Sequence, residues 1–418
     1  MQNDFLPGKP APKLKSTSTP KQNTTDQEQP VPFQTPDQAS QHDQEIAPVA
    51  FEPAAATPPR GSGHHWFNLP WPPNKTEILA MCIVLVIAAF GVVGFAVLRK
   101  PKAVETVATV APIKKAPAKP TTVASTLSGL QVQPELNQRP VLGIMIENSK
   151  EARPQSGLGQ AGVVFEAIAE GGITRLLALY QDQQPTNIGP IRSARPYYVQ
   201  WNLGFNAAYV HVGGSPDALQ NIKDWGVQDI NQFYNGSSFH RDSSRPSPHN
   251  MYSSAETLAA LATQKGYKST FTGFARKEAQ AAKQPTATSV NLNVSSSLYN
   301  VQYAYDAASN TYARSEGGAA HIDSNTGKQL SPNVVIAIVV PMSAGAKTAQ
   351  GGSYSDYNPL GSGTAYVFQD GTVTTGSWHK ASNTDQISFT DASGAVLKLN
   401  PGQTWITAVT AVSKVTYQ

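Results

Sequence analysis

"RPVLGIMIENSKEARPQSGLGQAGVVFEAIAEGGITRLLALYQD", residues 139–182, sets the architecture of this chain. Val141, Leu142, Ile144, Met145 and Ile146 make an apolar run of strand length that ends at Glu147 and Asn148. "AGVVFEAIAEGG" and "ITRLLALYQD" predict two further strands, joined by a tight turn at Gly171–Gly172. A fourth strand is expected in "NAAYVHVGGS", running into Gly213–Gly214. A helix should follow, with Ser215 as N-cap, Pro216 at its first position, Leu219, Ile222 and Trp225 on one face, and Gly226 as stop. "SSAETLAALATQKG" repeats the pattern, with Ser253 and Glu256 spaced as a capping box and Gly266 as stop. Strands and helices alternate, so residues 131–285 are expected to form a mixed α/β domain.

Beyond residue 295 helical periods are few. "SVNLNV", "YNVQYAYD", "NVVIAIVV", "GTAYVFQDGTVTTGSW", "QISFTDASGAVLKL" and "TWITAV" are short β-rich runs, and "QDGT" is a strong hairpin signal. Residues 295–414 therefore predict a mostly antiparallel β domain, and the whole an α+β protein.

Upstream the composition changes. Residues 1–74 are rich in Pro, Gln, Thr, Ser and Asp without apolar period, and they predict a disordered polar tail. "ILAMCIVLVIAAFGVVGFAVL", residues 78–98, carries no charge and is long enough to span a bilayer as a helix. Trp66 and Trp71 precede it, as interfacial anchors do. The single cysteine, Cys82, falls inside this span and lacks the small preceding residue of a lipidation site. A Pro/Ala/Thr-rich stalk is expected over residues 99–130. Orientation is contested. Arg60 and Lys75 precede the span, whereas Arg99, Lys100, Lys102, Lys114, Lys115 and Lys119 follow it, which favours a cytoplasmic C-terminal side. The stalk favours the opposite.

Charged residues are 14% of the chain, against roughly 25% in ordinary soluble domains. A net charge of +4 without a basic stripe is too weak and unclustered to suggest a nucleic-acid partner, and none is expected. No Gly-Lys-Ser/Thr follows "EGGITR", no Gly-x-Ser-x-Gly elbow and no His-Glu-x-x-His occur, and His240 with His249 is not a metal spacing. We expect neither a metal nor a cofactor.

"NIGPIRSARPYYVQ", residues 187–200, is the strongest functional signal. Ser193 is read as an N-cap, with Arg192 before the first turn and Arg195 within it. Guanidinium forks beside a helix N-terminus suit a carboxylate, phosphate or sulfate. The alternative is that each arginine pairs with Glu147, Glu166 or Glu170. Other candidates end strands or lie in loops: Asn148, Arg153, Ser156, Arg175, His211, and, in "RDSSRPSPHN", Arg241, Asp242, Arg245, His249 and Asn250. If they converge on one cleft, Glu147 or Glu170 is a candidate general acid or base and His211 or His249 a proton shuttle. Trp378, Lys380 and Trp405 are candidates for a sugar-stacking surface, or for packing.

"RPVLGIMIENSKEARPQSGLGQAGVVFEAIAEGGITRLLALYQ", "IGPIRSARPYYV", "HVGGSP" and "RPSPHNMY" resemble the N-terminal half of the DUF3048 (YerB-like) family. "SPNVVIAIV", "GSGTAYVFQDGTVTTGSWHK" and "LNPGQTWI" resemble its C-terminal half, so the likeness covers about residues 139–410. It departs at Ser149, where many relatives carry histidine. The resemblance implies a bacterial cell-surface protein, with the span replacing the usual lipid anchor and residues beyond it extracytoplasmic. It brings no activity. Two readings follow: an anchored module binding an anionic envelope polymer or peptide, or an envelope hydrolase or transferase using carboxylates. Two carboxylates about 5–10 Å apart in an open cleft favour glycoside chemistry. Glutamates each held by an arginine favour binding.

Overall fold

The computed structural model describes residues 121–348 and 352–418. The expected tail, membrane span and stalk as far as residue 120 lie outside the described residues, among which no helix is long and apolar enough to cross a membrane. The stalk ends earlier than its composition implies. Val123–Ala124 pairs with Gln131–Val132, Leu127 is buried in the core, and Ser125 Oγ donates to Asp182 Oδ1 at 2.6 Å.

Along the chain come β1 (Leu142–Glu147), β2 (Val163–Glu170), β3 (Ile173–Tyr180), α1 (Pro196–Leu203), β4 (Ala208–His211), α2 (Pro216–Asp224), β5 (Asp229–Asn231) and α3 (Ala255–Gln264). The second half gives β6 (Ser289–Leu292), β7 (Val301–Asp306), β8 (Thr311–Glu316), β9 (Ala319–Ala320), β10 (Val334–Val339), β11 (Met342–Lys347) and β12 (Ser353–Tyr357). It closes with β13 (Gly361–Gln369), β14 (Thr372–Lys380), β15 (Ser388–Asp391), β16 (Thr404–Val409) and β17 (Val415–Tyr417).

One twelve-stranded sheet runs β15-β14-β13-β10-β16-β2-β3-β1-β4-β5, with β12 bonded to β2 and β11 to β12. A five-stranded sheet, β9-β8-β7-β6-β17, is antiparallel throughout. The large sheet therefore passes through both regions expected from the sequence. Its junction is β16, which lies parallel to β10 on one side and β2 on the other, so the C-terminal half is not simply antiparallel. "TWITAV" is apolar almost without alternation because both faces of that central strand are covered.

The same logic explains β1. Leu142, Ile144 and Ile146 enter one core with Leu258 and Ala262 of α3, while Val141 and Met145 enter another with α1 and the small sheet. Phe165 stacks on Trp201 of α1, ring centroids 5.1 Å apart. Gly143 permits this close approach: a Cβ there would collide with Asn202 Oδ1. Each such large buried side chain contributes roughly 1.5–3 kcal/mol. Tyr197 and Tyr198, also on α1, reach the β2–β3 hairpin where its register shifts after Ile168. The Tyr198 hydroxyl accepts from Ala167 N at 2.9 Å and donates to Arg175 O, and that of Tyr197 donates to Ile168 O at 2.6 Å. The hairpin of β13 and β14 turns at Asp370 and Gly371, both with positive φ, as "QDGT" predicts.

Three local expectations are corrected. Helix α1 is capped by Arg195, without a side-chain cap, and not by Ser193. Helix α3 starts one residue later than the capping box implied, with Ser254 accepting from Thr257 N. Leu219 on α2 is exposed, while Ile222 is buried and Ser215 caps as expected.

Candidate functional site

Strands β1, β4 and β5 are mutually parallel, so their C-terminal ends lie on one edge of the sheet. Open parallel sheets offer ligand sites at that edge. Here it carries Glu147 and Asn148, His211 with Gly213, and Asn231. The segment 188–194 extends the edge: Ile191 bridges Ile146, Arg192 N donates to Met145 O at 2.8 Å, and Val212 N donates to Arg192 O at 3.0 Å.

Most sequence candidates prove to be engaged by the protein itself. Glu170 accepts from Arg175 at 2.6 Å and from Arg195 through both Nε, at 3.0 Å, and a terminal nitrogen, at 2.6 Å. Burial would raise the Glu170 pKa, but the two guanidinium groups overcome it and hold it below the usual carboxylate value. Tyr354 covers the Arg195 guanidinium at 4.7 Å. Arg175 and Arg195 are therefore structural, not free anion ligands. His211 is buried with Nδ1 on Gly213 O at 2.7 Å and Nε2 on Asp229 at 2.8 Å, which leaves no nitrogen to shuttle protons. Arg245 donates to the carbonyls of Ala152 and Pro154, and Arg241 to Asn250 at 2.7 Å. Asn250 also donates to the carbonyls of Asp242 and Arg245, so that loop braces itself. Ser156 pairs with Gly189 through the backbone.

A second cluster, largely missed by the sequence reading, sits between the two sheets. Fully buried Arg314 donates to Glu166 at 3.0 Å, Glu316 at 3.2 Å, the Tyr303 hydroxyl at 2.8 Å and His321 Nδ1 at 2.9 Å, and lies 4.2 Å over Trp405. Glu166 Oε2 also accepts from Trp405 Nε1 and Thr407. Glu316 receives Arg153 at 2.8 Å and Asn148 at 2.7 Å, and Gln155 joins Asn148 to His321. Burial, then the neighbouring Glu166 carboxylate, pushes the Glu316 carboxyl up to about 7. Burial, then the Arg314 charge, lowers His321 well below its usual value. One signal was available: in "TYARSE" strand alternation puts Tyr312, Arg314 and Glu316 on one face.

What remains on the edge is small. Glu147 is buried, with Oε1 2.8 Å from His249 Nδ1 and 3.1 Å from Arg192 Nε, the latter too poorly aligned for a hydrogen bond. Its Oε2 has no hydrogen-bond partner. Ser149 Oγ lies 3.4 Å from the same His249 Nδ1. A serine triad needs hydroxyl and carboxylate on opposite ring nitrogens, so these three do not form one. Among the described residues the terminal nitrogens of Arg192, the Ser193 hydroxyl and His249 Nε2 have no protein partner. The Arg192 side chain is 25% exposed.

The sugar-stacking alternative is corrected. Trp378 is buried and donates to Val339 O; buried Lys380 donates to the carbonyls of Asn383 and Asp385, and burial lowers its pKa to about 8. Among the described residues no group of three or more His, Cys, Asp or Glu is placed to hold a metal ion.

Residues 127–268 match the family described as "Protein of unknown function (DUF3048) N-terminal domain", and residues 290–406 match its C-terminal domain. The chain belongs to the DUF3048 family. It is 34% identical over 289 residues to "Putative lipoprotein YerB" of Bacillus subtilis (strain 168), covering 68% of this chain and 85% of that protein. The crystal structure of the YerB protein from Bacillus subtilis superimposes with a TM-score of 0.63 at 30% identity, covering 71% of this chain and 99% of that one. DUF3048 names no activity, so residue roles rest on the geometry above.

Proposed function

We propose that this DUF3048 protein is a membrane-anchored, extracytoplasmic binding module that takes an anionic group of an envelope polymer or peptide at the Arg192 edge. One observation carries the binding reading: Glu170 is held by Arg175 and Arg195, and Glu147 by His249 with Arg192 Nε 3.1 Å away, while the terminal nitrogens of Arg192 keep no hydrogen-bond partner among the described residues. A guanidinium with unoccupied donors on a partly desolvated rim suits a carboxylate or phosphate in bidentate geometry. His249 Nε2, on the same rim, adds a third polar contact. The anchoring part rests on the apolar run 78–98 and on the relative's name as a lipoprotein, which together outweigh the basic residues following the run.

The test uses the full chain in detergent, mixed with isolated envelope polymer, beside Arg192→Ala. Bound protein and released soluble fragments are measured in the same tubes. Retention without fragments, lost in Arg192→Ala samples that remain folded, is the expected result. Fragments accumulating with time would replace binding by hydrolysis.

A further inference from the structure

Phe233 and Tyr234 stand 70% and 83% exposed on the short turn that follows β5. Rings of this size are usually buried, and here the backbone that carries them is held in place. Asn231 Oδ1 accepts from both Phe233 N and Gly213 N at 3.2 Å, and Asn235 donates to Asn231 O at 2.8 Å. Phe233 lies against Gly213: a Cβ added to that glycine would stand 3.0 Å from its ring. Gly213 O accepts from Ala194 N at 2.9 Å, and Val212, the residue before it, pairs with Arg192. Backbone bonds thus tie the turn that bears the rings to the segment that bears Arg192. Beyond Tyr234 opens a cleft of about 390 Å³ between Leu219, Lys223, Val227 and Asp229.

We propose that Phe233 and Tyr234 are a sugar-stacking ledge, and that with Arg192 they form a subsite for a glycan carrying carboxylates. The proposal rests on the anion reading of Arg192 and names its ligand class. Flat apolar faces set among the amides of Asn231, Gln232 and Asn235 match a ligand with a CH face and hydroxyl edges. Arg192 and Lys223 supply the charge complement, and the carboxylate lining the cleft, Asp229, is already bonded to His211 Nε2. A peptide is disfavoured because strand addition needs a free edge. Among the described residues the nearby edge strand, β5, is three residues long, and Tyr267 donates to Asp229 O on it.

The experiment titrates the full chain in detergent with three probes: a hexameric uronic-acid oligosaccharide, its methyl ester, and hexaglutamate. Wild type, Arg192→Ala and Phe233→Ala/Tyr234→Ala are compared; both rings are exposed, so the double variant keeps its fold. We expect wild type to prefer the uronate. The double variant should weaken it by about tenfold or more, roughly 1.4 kcal/mol. Arg192→Ala should weaken the uronate but not the ester. If only Arg192→Ala loses binding, the ledge fails and the anion reading stands. Hexaglutamate bound as tightly as the uronate overturns the glycan assignment in favour of a peptide. If wild type ignores the uronate the proposal falls, and if it ignores both anions the anion reading falls with it.

Discussion

Arg314 and Arg192 each lie beside a buried glutamate, yet the two regions are built for different ends. Around Arg314 each charged side chain meets an opposite charge or a hydrogen bond, and two sheets close over the cluster. Around Arg192 the guanidinium tip faces solvent without a protein partner among the described residues. A buried charge left without a partner is costly, so a closed network is what a structural cluster requires. An unpaired cationic tip at a sheet edge is what an anion-binding rim requires. The contrast teaches that arginine–glutamate proximity alone does not identify a site; a guanidinium tip open to solvent sets Arg192 apart.

The contrast predicts graded effects. Arg314→Met strands Glu166 and Glu316 and should cost about 3–5 kcal/mol in denaturant unfolding. A loss below about 1 kcal/mol would mean the network is dispensable. Arg195→Ala is intermediate: it removes charge-assisted bonds to half-buried Glu170 and should cost roughly 1.5–3 kcal/mol by the same assay. Titration of the core gives a third effect. Folding favours protonated Glu316, whose carboxyl rises from 4.5 to about 7. Its stabilisation is complete below about 4.5 and lost as pH rises through about 7. Lowered His321 works oppositely, its contribution lost as pH falls below its usual 6.5. Stability of wild type minus that of Glu316→Gln isolates the first group and should decline with rising pH; a flat or rising difference contradicts the upward shift of the Glu316 carboxyl. Smallest is Phe233→Ala/Tyr234→Ala, expected to shift stability by no more than about 0.5 kcal/mol in thermal unfolding.

Much of the fold was legible because apolar periods and turn residues are local. The strand around Ile144, the Gly171–Gly172 turn, the "QDGT" hairpin and the Ser215 cap all follow from neighbouring residues. The continuous sheet was not, because β16 finds β2 across more than two hundred residues and no local pattern records that pairing. Ser193 looked like a cap because its chemistry suits one, yet extended Arg195 holds that position, with its side chain drawn to Glu170. The candidate site was legible as residue types but not as pairings. Glu166 meets Arg314 from 148 positions away, and Arg153 meets Glu316 from 163. Only with those pairs assigned does Arg192 stand out. Phe233 and Tyr234 carried no signal, since "QFY" reads equally well as buried strand.

The most direct test is equilibrium binding of the full chain to isolated envelope polymer at low and high salt, for wild type and Arg192→Ala, with unfolding measured on the same samples. The account predicts binding that weakens with salt, as an exposed ionic contact must. It predicts that Arg192→Ala abolishes this binding in samples that remain folded, with some stability lost because buried Glu147 gives up its neighbouring cation. Equal binding by the variant, or a loss of binding that tracks unfolding, would contradict the claim that this edge is the recognition site.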